Sequence, residues 1–361
     1  MKEIRKIIEQ YDALDRNKEK LALASVVDVE ASAYRRIGAR MLVQSSGVWT
    51  GGISGGCLEG DALRRSQKAI FDNKVTSVVY DTMEDDQNQV GVGLGCNGRI
   101  ELLLTPIDIE DPHNEIEILR SITNETEPNV MLKIVLHSNE DLIGQILLVK
   151  PGADLNGFAE LESEKLFQDI DLVRAKKRAK MFDYENGSVR ILIDFIRPET
   201  QLIVAGDNYD IYAMLGIANQ LGWRSVLLGK AKKLSKLAYQ MADKVMDYNK
   251  ADTIQINEYS VVLLMTHDYK IDLNLLNYFK DKNPAYLGIL GPKKRFQKLD
   301  GDVDDDLTNY TFIHSPTGLE IGAESPEEIA LSICAEVLAK MRDKTGGSLH
   351  EKIGSIHERD F

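Results

Sequence analysis

The sequence predicts α/β plus α+β: an N-terminal, mostly antiparallel α+β domain, then a C-terminal Rossmann-like domain with a parallel sheet. Three observations carry that expectation. From Gln201 onward, compact apolar runs of strand length alternate with stretches of helical period, as βαβ units do. Before that, strand-like runs follow one another, and Ser45-Ser46-Gly47 between Arg40–Gln44 and Val48–Trp49 reads as a hairpin turn. The rhythm changes around Pro198. The expected division is therefore 1–196, with its core at 20–106, then 197–345, then a tail over 346–361; two domains also suit 361 residues.

In chain order, residues 2–19 read as an amphipathic helix with Ile4, Ile7, Ile8 and Tyr11 on one face. Leu21–Val29 is a strongly apolar strand, Leu58–Phe71 has helical spacing, and Val75–Tyr80 and Arg99–Thr105 are two more strands. The stretch 107–196 carries weaker signals. Leu132–Leu136, Ile146–Val149 and Val189–Phe195 read as strands, Glu160–Lys180 as a solvated helix, and Pro151-Gly152 as the start of a loop. In the second domain the predicted strands are Gln201–Ala205, Ser225–Leu228, Val261–Met265, Ala285–Leu290 and Tyr310–His314. A helix over Asp210–Leu221 should end at Gly222 in a left-handed cap. Ser325, Pro326 and Glu328 form the capping box of a final helix, on which Ile329, Ile333, Val337, Leu338 and Met341 recur at helical spacing.

Composition narrows the function classes. A net charge of -13 disfavours nonspecific binding to nucleic acid or an anionic membrane, so an anionic ligand needs a local basic cluster. The three cysteines, Cys57, Cys96 and Cys334, do not make a disulfide framework and suit a reducing compartment. The opening residues have no apolar signal core, and no apolar run is long enough to span a bilayer. A cytoplasmic protein is expected.

Two glycine-set cysteines stand out. Gly51-Gly52-Ile53-Ser54-Gly55-Gly56-Cys57-Leu58-Glu59-Gly60 lies before a predicted helix. Glycine lets a backbone approach a ligand closely, and a helix start offers N–H groups to an anion. Cys57 at that position is a candidate nucleophile, sulfur carrier or soft-metal ligand; the plain alternative is a small thiol in a tight turn. Gly91-Val92-Gly93-Leu94-Gly95-Cys96-Asn97-Gly98-Arg99 repeats the pattern before a strand, which suggests that both cysteines serve one sulfur-philic site. Zinc fits less well, since no Cys-x-x-Cys or paired-histidine spacing occurs. Arg35, Arg36 and Arg40 follow the first strand; alone they read as a solvated loop or as partners of acids, and beside the glycine turns they suit phosphate recognition. Cys334, on the apolar face of the last helix, reads as core.

These segments resemble the XdhC/CoxI family. The tyrosine–arginine loop, Ser54-Gly55-Gly56-Cys57-Leu58-Glu59 and Gly95-Cys96-Asn97-Gly98-Arg99 are similar to its N-terminal motifs. Met265-Thr266-His267-Asp268-Tyr269, Tyr286–Gly291 and Pro316–Ala323 with the following helix are similar to its second domain. The likeness covers roughly residues 20–106 and 198–342. It implies a dimeric molybdenum-cofactor chaperone rather than a free-standing enzyme. Such a protein shelters the cofactor during sulfuration by a cysteine desulfurase and delivers it to a xanthine-dehydrogenase-like hydroxylase. Carried over, Arg35, Arg36 and Arg40 become candidates for the pterin phosphate. Cys57 and Cys96 become candidates near molybdenum or its sulfur, and Ser54, Gly55, Gly56, Glu59 and Gly95 line the same site. Ile37, Asn97 and Gly229 depart from the family's usual residues.

The second domain invites a rival reading as an NAD(P)-dependent oxidoreductase, and its first turn argues against one. In Gly206-Asp207-Asn208-Tyr209-Asp210, Asn208 stands where the dinucleotide fingerprint needs a second glycine, and two aspartates oppose a pyrophosphate. The next strand ends in Gly229-Lys230, without the acid that holds ribose hydroxyls; Lys230, Lys232 and Lys233 favour at most a phosphorylated ribose. His267 and Asp268 end a strand where ligands of parallel sheets collect, and are candidate cofactor contacts; the alternative is a loop histidine and a helix-starting aspartate. A third reading makes Cys57 or Cys96 a persulfide carrier that works without the cofactor.

Overall fold

Every residue from Leu21 to Val27 is buried, which needs cover on both faces of the strand. The computed structural model, which describes residues 1–15, 18–31, 35–81 and 98–353, shows how that cover arises. The chain forms two compact units, residues 3–198 and residues 199–353.

The first unit begins with α1 (Lys2–Asp12), β1 (Leu21–Ala31), β2 (Arg40–Gln44), β3 (Trp49–Gly51), α2 (Glu59–Asp72), β4 (Thr76–Asp81) and β5 (Gly98–Ile107). The strands make an antiparallel sheet in the order β3-β2-β1-β5-β4. Ala24, Val26, Met41, Val43, Leu102 and Leu104 project to one face, where Ala62 and Ala69 of α2, and Leu58 just before it, cover them. The alternate residues Leu21, Leu23 and Leu42 project to the other face and meet Ile4, Ile7, Ile8 and Tyr11 of α1. The helix read over 2–19 ends at Asp12, once that apolar stripe is used up.

The stretch with weak signals is a second antiparallel sheet. It comprises α3 (Glu115–Ile122), β6 (Asn129–Leu136), β7 (Ile146–Val149), α4 (Ser163–Lys176), β8 (Lys180–Tyr184) and β9 (Val189–Ile196), with strand order β7-β6-β9-β8. Leu166, Ile170 and Val173 of α4 pack on Val130, Leu132, Ile134, Ile191 and Ile193. Sequence reasoning missed α3 and β8. Both are short, and β8 is half-buried along most of its length, so its apolar period is faint.

The second unit contains β10 (Gln201–Ala205), α5 (Asp210–Leu221), β11 (Arg224–Leu228), α6 (Lys236–Met241), β12 (Lys244–Met246), β13 (Ser260–Leu264), α7 (Tyr269–Phe279), β14 (Tyr286–Ile289), α8 (Lys293–Gly301), β15 (Ile313–His314) and α9 (Pro326–Lys340). All strands are parallel, in the Rossmann order β12-β11-β10-β13-β14-β15. Leu202 and Val204 face α5 and α9, while Ile203 and Ala205 face α7 and α8. Gly222 takes the left-handed cap at φ +74°, and Ser325 with Glu328 forms the capping box. Cys334 is buried, and burial pushes its thiol up to about 12. The strand read over Tyr310–His314 shrinks to Ile313–His314, because Asp306 caps a helical turn over Leu307–Asn309 just before it. This unit runs to Ile353, past the point where the tail was expected.

Candidate functional site

The turn between β3 and α2 is held by its own polar groups. Gly51 has φ +91°, and a Cβ there would lie 2.3 Å from the Arg40 carbonyl oxygen, so only glycine fits where β3 leaves its pairing with β2. Glu59, the first residue of α2, is 8% exposed. Its Oε1 accepts the N–H groups of Ile53 at 3.2 Å and Ser54 at 2.8 Å, and its Oε2 accepts the Ser54 hydroxyl. Ser54 Oγ in turn accepts the N–H groups of Gly56 (3.2 Å), Cys57 (3.1 Å) and Leu58 (3.0 Å). Burial opposes the Glu59 charge, but the Ser54 hydroxyl and the N–H donors outweigh it and hold the carboxyl below its ordinary range.

This arrangement changes the roles read from sequence. Ser54 and Glu59 are turned into the turn rather than outward, and the N–H groups expected to await an anion already meet Ser54 Oγ. The signal was present, but the spacing is five residues, not the three of a capping box, so it escaped the motif. Cys57 is exposed on the clamped turn. Around Gly56, at φ +110°, a Cβ would meet nothing within 4 Å.

The arginine loop divides. Arg35 is 31% exposed and pairs with Glu3 at 2.5 Å. Arg36 is exposed. Arg40 is 4% exposed and committed to Asp194 at 2.7 Å and Glu115 at 3.1 Å, so its guanidinium is not presented to a phosphate. Lys133, fully buried, pairs with Glu115 and completes a four-charge cluster. Sequence reasoning overlooked this cluster, although a lysine inside Val130–Val135 and an aspartate inside Ile191–Ile196 mark it. Ser32–Tyr34, Gly95, Cys96 and Asn97 lie outside the described residues, and so does any convergence of the two cysteines.

A second constellation lies at the carboxyl ends of β10, β11 and β13. Gly206 serves packing: a Cβ there would lie 2.9 Å from the Met265 carbonyl oxygen. The Asp207 side chain is 3% exposed, pairs with Lys233 Nζ at 3.1 Å and accepts the Lys230 N–H at 3.4 Å. Lys233 is thereby tied to the turn's own acid. His267 sits in the left-handed region at φ +57°, with Nε2 2.7 Å from Asp210 Oδ2. Asp268 N-caps α7 by accepting the N–H groups of Lys270 and Ile271, the helix-starting role weighed above. Arg295, from the basic run that opens α8, turns back onto the buried Asp272 at 2.5 Å. Sequence reasoning found neither Asp210 as the partner of His267 nor this pair.

Among the described residues, no helix is long and apolar enough to cross a membrane, and no group of three or more His, Cys, Asp or Glu is placed to hold a metal ion. Comparison with known proteins agrees with the two-part architecture. The XdhC and CoxI family matches residues 14–81, and the XdhC Rossmann domain matches residues 202–337, together more than half of the chain. A probable xanthine dehydrogenase subunit of Bacillus subtilis (strain 168) is 28% identical over 336 residues, 91% of this chain and 95% of that one. The molybdenum cofactor insertion chaperone PaoD of Escherichia coli (strain K12) is 22% identical over 323 residues, 87% of this chain and 81% of that one. A crystal structure of a xanthine dehydrogenase from Bacillus halodurans superposes with a TM-score of 0.75 at 27% identity, covering 97% of this chain and 98% of the other. Matched in both halves by that family's domains, and over nearly its whole length by such relatives, the chain belongs to the XdhC and CoxI family.

Proposed function

We propose that this protein is a molybdenum-cofactor chaperone that serves a xanthine-dehydrogenase-like hydroxylase. One observation carries the reading: an exposed Cys57 stands on a turn held from within by Ser54 and Glu59, with open space at the adjoining Gly56. A soft thiol suits molybdenum or its terminal sulfur, and bare glycine backbone admits a flat, bulky cargo. The name of the PaoD relative, a molybdenum cofactor insertion chaperone matched over 87% of this chain, supports the same reading.

In this proposal Cys57 faces molybdenum or its sulfur, with Gly55 and Gly56 beside it. Arg35 and Arg36 lie toward the cargo phosphate. Gly95 and Cys96 complete the site. In the second unit, His267, paired with Asp210, and Asp268 at the start of α7 remain candidate cofactor contacts of their own. The protein works as a cytoplasmic homodimer, accepts help from a cysteine desulfurase for sulfuration, and is an accessory factor rather than an enzyme.

The test is molybdopterin content by oxidative fluorescence after loading and desalting, for wild type and Cys57→Ala. Retention near one cofactor per chain, lost in the variant, supports the reading; no retention by wild type overturns it. The exposed thiol also suits a persulfide carrier, in which the sulfane sulfur passes from a desulfurase persulfide to the Cys57 thiolate and the desulfurase leaves as its thiol. Mass spectrometry after incubation with a desulfurase and cysteine, without cofactor, decides that alternative: no added sulfur on either Cys57 or Cys96 sinks it.

A further inference from the structure

Arg40 touches both loops of the proposed cargo site while facing neither the solvent nor the cargo. It opens β2, and its side chain is 4% exposed. Nη2 pairs with Asp194 at 2.7 Å, Nε with Glu115 at 3.1 Å, and Nη1 donates to the Gly38 carbonyl at 2.8 Å. Lys133 closes the cluster against Glu115 and donates to Ser25 Oγ at 3.1 Å. Two cations therefore face two carboxylates. Burial disfavours the Arg40 charge, and the carboxylates of Asp194 and Glu115 more than offset that.

The rest of Arg40 points the other way. Its carbonyl oxygen accepts the Gly52 N–H at 3.0 Å, and Gly51 crosses over it with no room for a Cβ. On the arginine-loop side, Gly38 lies against the same cluster: at φ +87°, a Cβ there would stand 3.0 Å from Asp194 Oδ1. The loop carrying Arg35 and Arg36 thus rests on Arg40's side chain and its carboxylate partner. The turn presenting Cys57 springs from Arg40's main chain.

We propose that Arg40 is a positioning residue that sets the register between the arginine loop and the Cys57 turn. A planar fork with several fixed donors holds Asp194, Glu115 and Gly38 together, which a lysine ammonium on a flexible stem does not. For its purpose this inference rests on the cargo reading; the mechanical link between the two loops stands apart from it.

Two measurements keep those claims separate: the rate of Cys57 alkylation by iodoacetamide, well below the melting temperature, and molybdopterin retention. Arg40→Lys is the direct variant. Gly38→Ala presses on Asp194 from the arginine-loop side and keeps every charge of the cluster, so it serves if Arg40→Lys does not fold. Val173→Ala, in the separate core under α4, is the control for general destabilisation. Both test variants should change the alkylation rate by at least about threefold and lower retention by about tenfold or more, with the control unchanged in both. If the folded test variants alkylate within about twofold of wild type, or if Val173→Ala shifts the rate as much, the link is overturned. If wild type retains no cofactor, the cargo reading fails, and the alkylation rates still decide the link.

Discussion

The two units each contain a strand–glycine–helix turn, and the turns are built in opposite ways. In the first, between β3 and α2, the acid stands at the helix start and draws the turn inward: Glu59 holds Ser54, and Ser54 gathers the N–H groups of Gly56, Cys57 and Leu58. The Cys57 side chain is left outside. In the second, between β10 and α5, the acid follows the glycine at once, and Asp207 is buried against Lys233 and the Lys230 N–H. There the glycine serves packing against Met265, and the turn ends facing its own carboxylate. Both turns are held by their own polar groups, with the acid at the helix start in one and directly after the glycine in the other, and the first leaves a thiol exposed.

That contrast can be broken by substitution. The largest effect is expected at Gly51→Ala, which combines a positive φ with a 2.3 Å clash against backbone. A loss of about 3 kcal/mol or more is expected in urea unfolding. A loss under about 1 kcal/mol would mean that Gly51 does not lie against the Arg40 carbonyl as described. Next comes Glu59→Gln, which removes a buried acceptor charge and should cost about 1–3 kcal/mol at neutral pH.

Glu59 also makes a pH prediction. Its folded pKa lies below the ordinary 4.5, so its stabilisation is complete above that value and is lost as pH falls through the folded value. Acid titration of stability should therefore be flatter below 4.5 in Glu59→Gln than in wild type; parallel curves would deny the carboxylate its clamping role. Gly56→Ala should cost only about 1–2 kcal/mol, from backbone conformation alone, since a Cβ there meets nothing. The smallest expected signal comes from the second turn. NADPH titration followed by nucleotide fluorescence should show no saturable binding up to about 1 mM. Micromolar binding would erase the contrast and restore the oxidoreductase reading.

Much of the fold was legible because periodicity survives burial. Gln201–Ala205 and Asp210–Leu221 have the boundaries read from sequence, and the capping box at Ser325 is where its residues place it. Leu132–Leu136 and Val189–Phe195 proved to be parts of the neighbouring central strands β6 and β9. What failed to show was short or half-buried, such as β8, or depended on partners far along the chain. Arg40 illustrates the second case. Its sequence neighbours Arg35 and Arg36 suggested a phosphate site, whereas its partners lie at Glu115 and Asp194.

By itself, the sequence determined the antiparallel first part, the parallel sheet of the second unit and the family, because apolar period, capping residues and ordered glycine motifs are local. Tertiary structure alone decided which polar residues face outward. Ser54, Glu59, Arg40 and Asp268 all read as plausible ligands and are all held by hydrogen bonds or ion pairs within the fold. The physical reason is desolvation. A carboxylate or guanidinium at the edge of a core must be matched by protein donors or acceptors, and the groups that match Arg40 lie 75 and 154 positions away in the chain.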